Sequence, residues 1–245
     1  FASQICQALE SLKSKNQKLC AFIAETFPSV GGQIITPKGY LDEVYKLIRK
    51  QGGLCIADEV QTGLGRLGDY YFGFEYQKVC PDIVVLGKPI GNGHPIGVVA
   101  TTKKIANSFD NGIEFFTTFG GSTLSCAIAR EVIEIVDQEG LQSNAQEMGI
   151  KLKKGLMNLQ EKYQSIGDVR GMGLFVGIEF IDKTGKENTR LCTFVKNRMR
   201  EYRILVGSEG PKDNVLKIRP PLSIEADDID MIIETLGIIL AEVDL

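Results

Sequence analysis

The chain has 245 residues, with 28 Lys and Arg against 31 Asp and Glu for a formal charge of −3; 43% of residues are hydrophobic and 24% charged. This is an ordinary soluble globular profile, large enough for one substantial core or for one core plus a smaller satellite domain. No Lys/Arg block is dense enough to grip a polyanion, which argues against nucleic-acid binding. The longest apolar run in the middle of the chain, Ile83 to Leu86, is far short of the roughly 20 residues that span a bilayer.

The first residues, FASQICQALESLKSK, lack the basic and apolar regions of a signal peptide, and the start at Phe1 suggests a piece of something longer. The six cysteines (Cys6, Cys20, Cys55, Cys80, Cys126, Cys192) form no C-x-x-C pair, and Cys20 and Cys55 lie in apolar, strand-like runs. That usage predicts buried free thiols, no disulfide framework, no zinc or other metal site, and a reducing, cytoplasmic compartment.

From Cys20 to about Ala100, short apolar runs alternate with helical patterning: LCAFIAE, YLDEVYKLIRKQGG, LCIADEV, DIVVLGK and IGVVATT. The runs are unbroken by polar alternation, which predicts strands covered on both faces in a mostly parallel sheet. Tyr40, Leu41, Val44, Leu47 and Ile48 fall at helical spacing and end at Gly52 and Gly53. Together these patterns predict an α/β layered fold.

After the turn-rich FTTFGGSTLS, residues 123–138 and 143–163 read as amphipathic helices. VRGMGLFVGIEFID follows as a strand pair punctuated by Gly171, Gly173 and Gly177. The tail predicts a helix from Thr193 to Tyr202, a strand around Ile204 to Val206, a strand VLKIRPPL and a closing helix from about Ala226 to Glu242. A small α+β C-terminal domain is the economical arrangement.

Two strand ends carry chemistry. LCIADEVQTG stops its apolar run at Asp58, Glu59 and Gln61, and α/β proteins bind ligands at the carboxyl edge of parallel strands. Asp58 there is either a helix cap or a functional acid. DIVVLGKPIGNGHP stops at Lys88; a lysine at a buried strand end is paired or put to use, because desolvation disfavours its charged form. On consecutive predicted strands, Asp58 and Lys88 form either a structural salt bridge or a pyridoxal-phosphate site, with the acid keeping the pyridine nitrogen protonated and the lysine forming the Schiff base.

The strings ADEVQTGLGR, GK followed by GNGHP, TTFGG and LKIRPPL, in that order over nearly the whole chain, resemble the class III (omega) aminotransferases, a family of fold-type I pyridoxal-phosphate enzymes. The resemblance implies that residues 1–138 form part of the large cofactor-binding domain and residues 139–245 the small α+β domain. It implies that Asp58 pairs with the pyridine nitrogen, Val60 packs on the ring and Gln61 hydrogen-bonds the ring hydroxyl. Lys88 would be both the Schiff-base residue and the base that moves a proton. Thr118 would reach the cofactor phosphate of a neighbouring subunit, with Gly120 and Gly121 allowing close approach, so the active sites would be shared across a homodimer. Arg219 would receive a substrate carboxylate through its two-pronged donors; read without the resemblance, it is an exposed strand-end arginine beside Pro220 and Pro221. The partners implied are small-molecule amine and keto-acid substrates.

The departures matter. Where many relatives carry E-P-I-Q-G-E, this chain has Glu25, Thr26, Phe27, Pro28, Ser29 and Val30, so the glutamate that gates the carboxylate arginine is Val30. ETFPSVGGQI and GNGHP resemble the subgroup that includes phospho-lyases, which eliminate phosphate instead of transferring an amino group. The family's own-subunit phosphate loop and ring-stacking aromatic residue come from a segment upstream of anything in this sequence. The expectation is therefore a class III aminotransferase, with a phospho-lyase and a non-catalytic fragment as rivals. His94, the only histidine, reads as a turn residue or interface hydrogen-bonder; Arg66 is expected to pair with a nearby carboxylate, and Glu59 to be structural or hydrogen-bonded just behind the site.

Overall fold

The computed structural model describes residues 2–243. They form two compact units. The first comprises the chain up to Thr26, then Thr36–Leu64 and Phe72–Glu139; the second comprises Phe27–Ile35, Gly65–Tyr71 and the chain from Gly140 onward.

The first unit contains α1 (Ala2–Ser14), β1 (Ala21–Glu25), α2 (Tyr40–Lys50), β2 (Leu54–Asp58), α3 (Gly73–Tyr76) and β3 (Ile83–Leu86). A 3-10 turn (Lys88–Gly91), β4 (Val98–Thr101), α4 (Lys103–Phe109) and α5 (Thr123–Gln138) complete it. Its sheet runs β1-β2-β3-β4, with the first three strands parallel and β4 antiparallel to β3. The fold is thus mixed α/β with a parallel-rich sheet. The one antiparallel strand, β4, fits a mostly parallel sheet and has a simple cause: the link from Leu86 to Val98 holds only a short turn, whereas a parallel return needs a crossover of a dozen or more residues.

Helix α2 forms because Leu41, Val44, Tyr45 and Ile48 recur at helical spacing, with Asp42 and Glu43 in the first turn and Arg49 and Lys50 in the last, matching the helix dipole. Its buried stripe packs with Cys55, Phe22 and Leu19, so one sheet face is covered. The opposite face departs from the expectation of full burial. Ile23 and Val99 remain 62% and 67% exposed. The strand register places Asp58, level with Val85 and hence with Val99, on that open face.

The second unit is an antiparallel sheet with helices. It contains α6 (Leu141–Lys162), β5 (Ile166–Met172), β6 (Phe175–Phe180), α7 (Thr189–Glu201), β7 (Gly207–Glu209), β8 (Val215–Ile218) and α8 (Ala226–Val243), with strand order β5-β6-β8-β7. Leu152 and Leu156 of α6, Val195 and Met199 of α7, and Leu236 and Ile239 of α8 close over Val176, Ile178, Phe180 and Leu216. Helix α7 starts four residues earlier than the periodicity predicts, because the Asn188 side chain caps it by accepting the Leu191 N–H at 3.0 Å. The predicted strand at Ile204 to Val206 moves to Gly207–Glu209, where Ser208 pairs with Leu216; Ile204 instead donates its N–H to Met199 and closes α7.

Two short segments leave the strands of the first unit and join the second. After β1, Phe27 is fully buried with its ring 6.3 Å from that of Phe175, and Arg170 grips the segment by donating Nε to Gly32 O at 2.8 Å. Arg170 is itself held by Glu179 at 2.6 Å. After β2, Arg66 O accepts the Leu174 N–H at 3.0 Å. Gly173 permits that approach: its φ is +53°, and an added Cβ would lie 2.5 Å from the Leu67 carbonyl carbon.

Among the described residues no helix is long and apolar enough to cross a membrane. All six cysteines are free, but only Cys55 and Cys192 are buried. Cys20 is exposed, contrary to the expectation from its apolar run, because it precedes β1 instead of lying within it. Burial pushes the Cys55 thiol up to about 11 and the Cys192 thiol up to about 12. A thiol reagent at about pH 8 is expected to label Cys6, Cys20, Cys80 and Cys126 rapidly, and Cys55 and Cys192 only after denaturation. Peptide mass mapping before and after unfolding checks this; rapid native labelling of Cys55 or Cys192 would contradict the packing described.

Candidate active site

Parallel pairing sets Glu25, Asp58 and Val85 level at the carboxyl ends of β1, β2 and β3. At that edge the Asp58 carboxylate accepts the Val60 N–H at 3.0 Å, turning the chain off the sheet. Val60 then lies against Gly87: its two methyl carbons stand 3.5 and 3.7 Å from where a Cβ of residue 87 would be. Asp58, Val60 and the residue before Lys88 thus gather at one corner.

Gln61 follows, half-buried, and its Oε1 is buried without a hydrogen-bond partner among the described residues. A buried acceptor left unpaired costs about 1–3 kcal/mol, which a bound hydroxyl would relieve. Lys88 opens the 3-10 turn with φ 38°. It is exposed, which corrects the expectation of a buried strand-end amine. The physical reason is that the chain leaves the sheet at Gly87, so Lys88 sits on the turn beyond the last strand residue. There it lines an open recess of about 540 Å³ with Asn92, His94 and Ile96.

Glu59 points the other way, into the protein, and is fully buried. Its carboxylate accepts from the Thr62 hydroxyl at 2.5 Å and from the Gly73 and Phe74 N–H groups, each at 2.9 Å. The loop from 59 to 73 is thereby tied back to its own start. Burial pushes the Glu59 carboxyl above its ordinary value, and hydrogen bonds from Thr62, Gly73 and Phe74 partly offset this.

His94 places Nε2 2.8 Å from Ser125 Oγ in the first turn of α5. Thr118 lies in the exposed segment before that helix, among Phe115, Phe116 and Phe119, which are 70%, 79% and 84% exposed. No hydrogen bond among the described residues brings Thr118 to Lys88.

Arg219 belongs to the second unit, directly after β8. Its Nη1 donates to Ser29 Oγ at 3.0 Å, and Gln33 Nε2 lies 3.4 Å from the same oxygen. Arg66 departs from the carboxylate pairing expected of it: it donates to the carbonyls of Leu174 and Pro220, and the second contact fixes the backbone beside Arg219. Burial, followed by the Arg219 charge, pulls the Arg66 guanidinium down to about 10, still well above neutrality. Sequence reasoning gave no roles to Ser29, Gln33 or Ser125. Isolated polar residues carry no periodic signal, and the Arg219 partner of Ser29 and the His94 partner of Ser125 lie 190 and 31 positions away.

The parallel-rich sheet and its helices have the fold-type I pyridoxal-phosphate transferase architecture. The profile for aminotransferase class-III matches residues 1–240, and the chain belongs to that family. It is 45% identical over 234 residues, or 94% of its length, to an alanine–glyoxylate aminotransferase 2-like protein of Drosophila melanogaster, of which it covers 47%. A phospholyase from Arthrobacter in complex with phosphoethanolamine superimposes with a TM-score of 0.95 and 37% identity, over 98% of this chain and 57% of that one. A PLP-bound amine transaminase from an uncultivated Pseudomonas species gives a TM-score of 0.88 and 30% identity, over 98% of this chain and 56% of that one. The chain thus spans about half the length of the curated relatives it matches.

Glu59→Ala leaves two backbone N–H groups and the Thr62 hydroxyl without their acceptor, and is expected to cost about 3 kcal/mol. Because the native carboxyl titrates above its unfolded value of 4.5, the native state binds the proton more tightly. The stability Glu59 contributes is full below that value and falls as pH rises through the raised native one. Urea denaturation of both proteins at a series of pH values measures the difference; a gap that widens with pH would show the sign to be wrong.

Proposed function

We propose that the protein is a pyridoxal-phosphate-dependent class III aminotransferase that moves an amino group from an amine or omega-amino acid to a keto acid. The observation that carries this reading is the corner where Val60 abuts Gly87 beside Lys88, with the buried Gln61 oxygen awaiting a donor. These residues fit the cofactor: Asp58 would face the pyridine nitrogen, Val60 the ring face and Gln61 the ring hydroxyl. Bound pyridoxal phosphate supplies the electron sink that lets a substrate carbon release its proton. Lys88 would supply the amine that holds the cofactor aldehyde and the base for the substrate proton. Arg219, oriented by Ser29, would receive an anionic substrate group as a two-pronged donor.

On this reading the chain up to residue 138 carries the cofactor residues and residues 139–245 form the small domain. The working enzyme is a homodimer in which Thr118 serves the neighbouring subunit's phosphate. The exposed Phe109, Ile113, Phe115, Phe116 and Phe119 around it support such a contact, since an apolar stretch of that kind favours burial against a partner. A cytoplasmic location accords with six free cysteines.

A second reading, a phospho-lyase, is supported by the likeness to the Arthrobacter protein that holds phosphoethanolamine. On that reading the same proton removal would be followed by cleavage of the carbon–oxygen bond to phosphate. Phosphate departs, and water then releases the nitrogen as ammonia and the carbon skeleton as a carbonyl compound.

Borohydride reduction of the full-length protein with pyridoxal phosphate is expected to fix one cofactor on the peptide containing Lys88. Lys88→Ala should abolish that label and lower turnover by about 10² to 10⁴-fold. Label elsewhere in a folded sample would sink the assignment. Phosphate released from phosphoethanolamine without any keto acid would select the second reading; amino transfer that requires a keto acid would select the first.

A further inference from the structure

The turn that carries Lys88 is closed by its own backbone: Ile90 N–H donates to Gly87 O, Asn92 N–H to Pro89 O, and His94 N–H to Gly91 O at 2.8 Å. It is packed from within, since Ile90 is 3% exposed and a Cβ on Gly91 would lie 2.7 Å from Ile96. Yet Lys88 at φ 38° and Asn92 at φ 42° occupy left-handed backbone that side-chain-bearing residues rarely adopt. Such backbone persists only where its surroundings hold it.

The side-chain tether outward from this turn is His94, bonded to Ser125. Ser125 sits where α5 begins, three residues after Ser122, whose hydroxyl caps the helix by accepting the Ser125 N–H. Immediately before that cap runs the exposed segment 110–121 containing Thr118, braced by a hydrogen bond from Gly120 N–H to Thr117 Oγ1. One side-chain contact therefore joins the turn of Lys88 to the helix start that anchors the loop of Thr118, and α5 also packs against the 3-10 turn.

We propose that His94 is a positioning residue: through Ser125 it holds the Lys88 turn and the Thr118 loop in fixed relation, so that the lysine amine stands ready for its own cofactor and the threonine hydroxyl for the neighbouring subunit's. This rests on the pyridoxal-phosphate reading above. Its substance is that the histidine acts by geometry on two loops and touches no substrate.

The test uses the full-length protein with His94→Phe and Ser125→Ala to break the contact, and His94→Gln and Ser125→Thr to keep a hydrogen-bonding group at each end. Hydrogen–deuterium exchange of the cofactor-free protein reads the loops directly, and absorbance titration reads pyridoxal-phosphate affinity. Each breaking variant is expected to speed exchange in both 87–96 and 117–126 and to weaken cofactor binding about tenfold, the equivalent of one hydrogen bond. The double variant should be no worse than either single one, and the conservative variants should return to within about threefold of wild type. Faster exchange confined to one segment, additive losses in the double variant, or unchanged affinity would each overturn the proposal. Should His94→Phe fail to fold, Ser125→Ala breaks the same contact from its other end and Ser125→Thr restores it, with the same outcomes expected. A wild-type protein that binds no pyridoxal phosphate refutes the cofactor reading and this role with it, an outcome distinct from variants that bind as well as wild type.

Discussion

The buried Glu59 carboxylate is the interaction on which the geometry of the candidate site depends. It lies between Asp58 and Val60, faces inward, and gathers the Thr62 hydroxyl with the N–H groups of Gly73 and Phe74. Removing an acid from water is unfavourable, and here three hydrogen bonds partly offset that cost. Because they close the loop from residue 59 to 73 at its base, Asp58 and Val60 are held at the sheet edge while the middle of the loop is free to join the second unit. Thr62 extends the arrangement to Thr26, 3.1 Å away at the end of the neighbouring strand, so the exits of β1 and β2 share one polar anchor.

The two units obey different folding logic. In the first, α2 covers a parallel-rich sheet on one face, and the other face keeps apolar side chains exposed beside Asp58. In the second, an antiparallel sheet and three helices enclose a continuous core, and the segments 27–35 and 65–71 are fastened to it by the Phe27 ring, the Arg170 clamp and the Arg66 carbonyl contacts. Both segments emerge from carboxyl ends of neighbouring strands, at Glu25 and Asp58. The strand ends that carry the acids therefore also launch the segments that orient Arg219 through Ser29 and Pro220.

Membership of the class-III aminotransferases places these features in a chemical frame. On the proposed reading, the residues at the sheet corner would hold the cofactor and Arg219 would receive an anionic substrate group. The Val60 methyl groups lie within ordinary contact distance of where a Cβ of residue 87 would stand, next to the turn of Lys88. The strained lysine backbone then depends on its own turn bonds and on the His94 tether.

Much was legible in the amino-acid sequence because it rests on local pattern. Unbroken apolar runs marked β1 to β3, helical spacing marked α2, and the abrupt ends near Asp58 and Lys88 marked the carboxyl edge of the sheet. The cysteine pattern pointed to free thiols. What only the tertiary structure decided rests on pairings distant in sequence. The reversal of β4 followed from the length of a turn, the exposure of Lys88 from where the chain leaves the sheet, and the exposure of Cys20 from its place just outside a strand. The carbonyl partners of Arg66, the Ser29 contact of Arg219 and the His94–Ser125 bond join residues from 31 to 190 positions apart. Periodicity reports which way a side chain faces within its own element; it carries no information on which polar group waits across the fold.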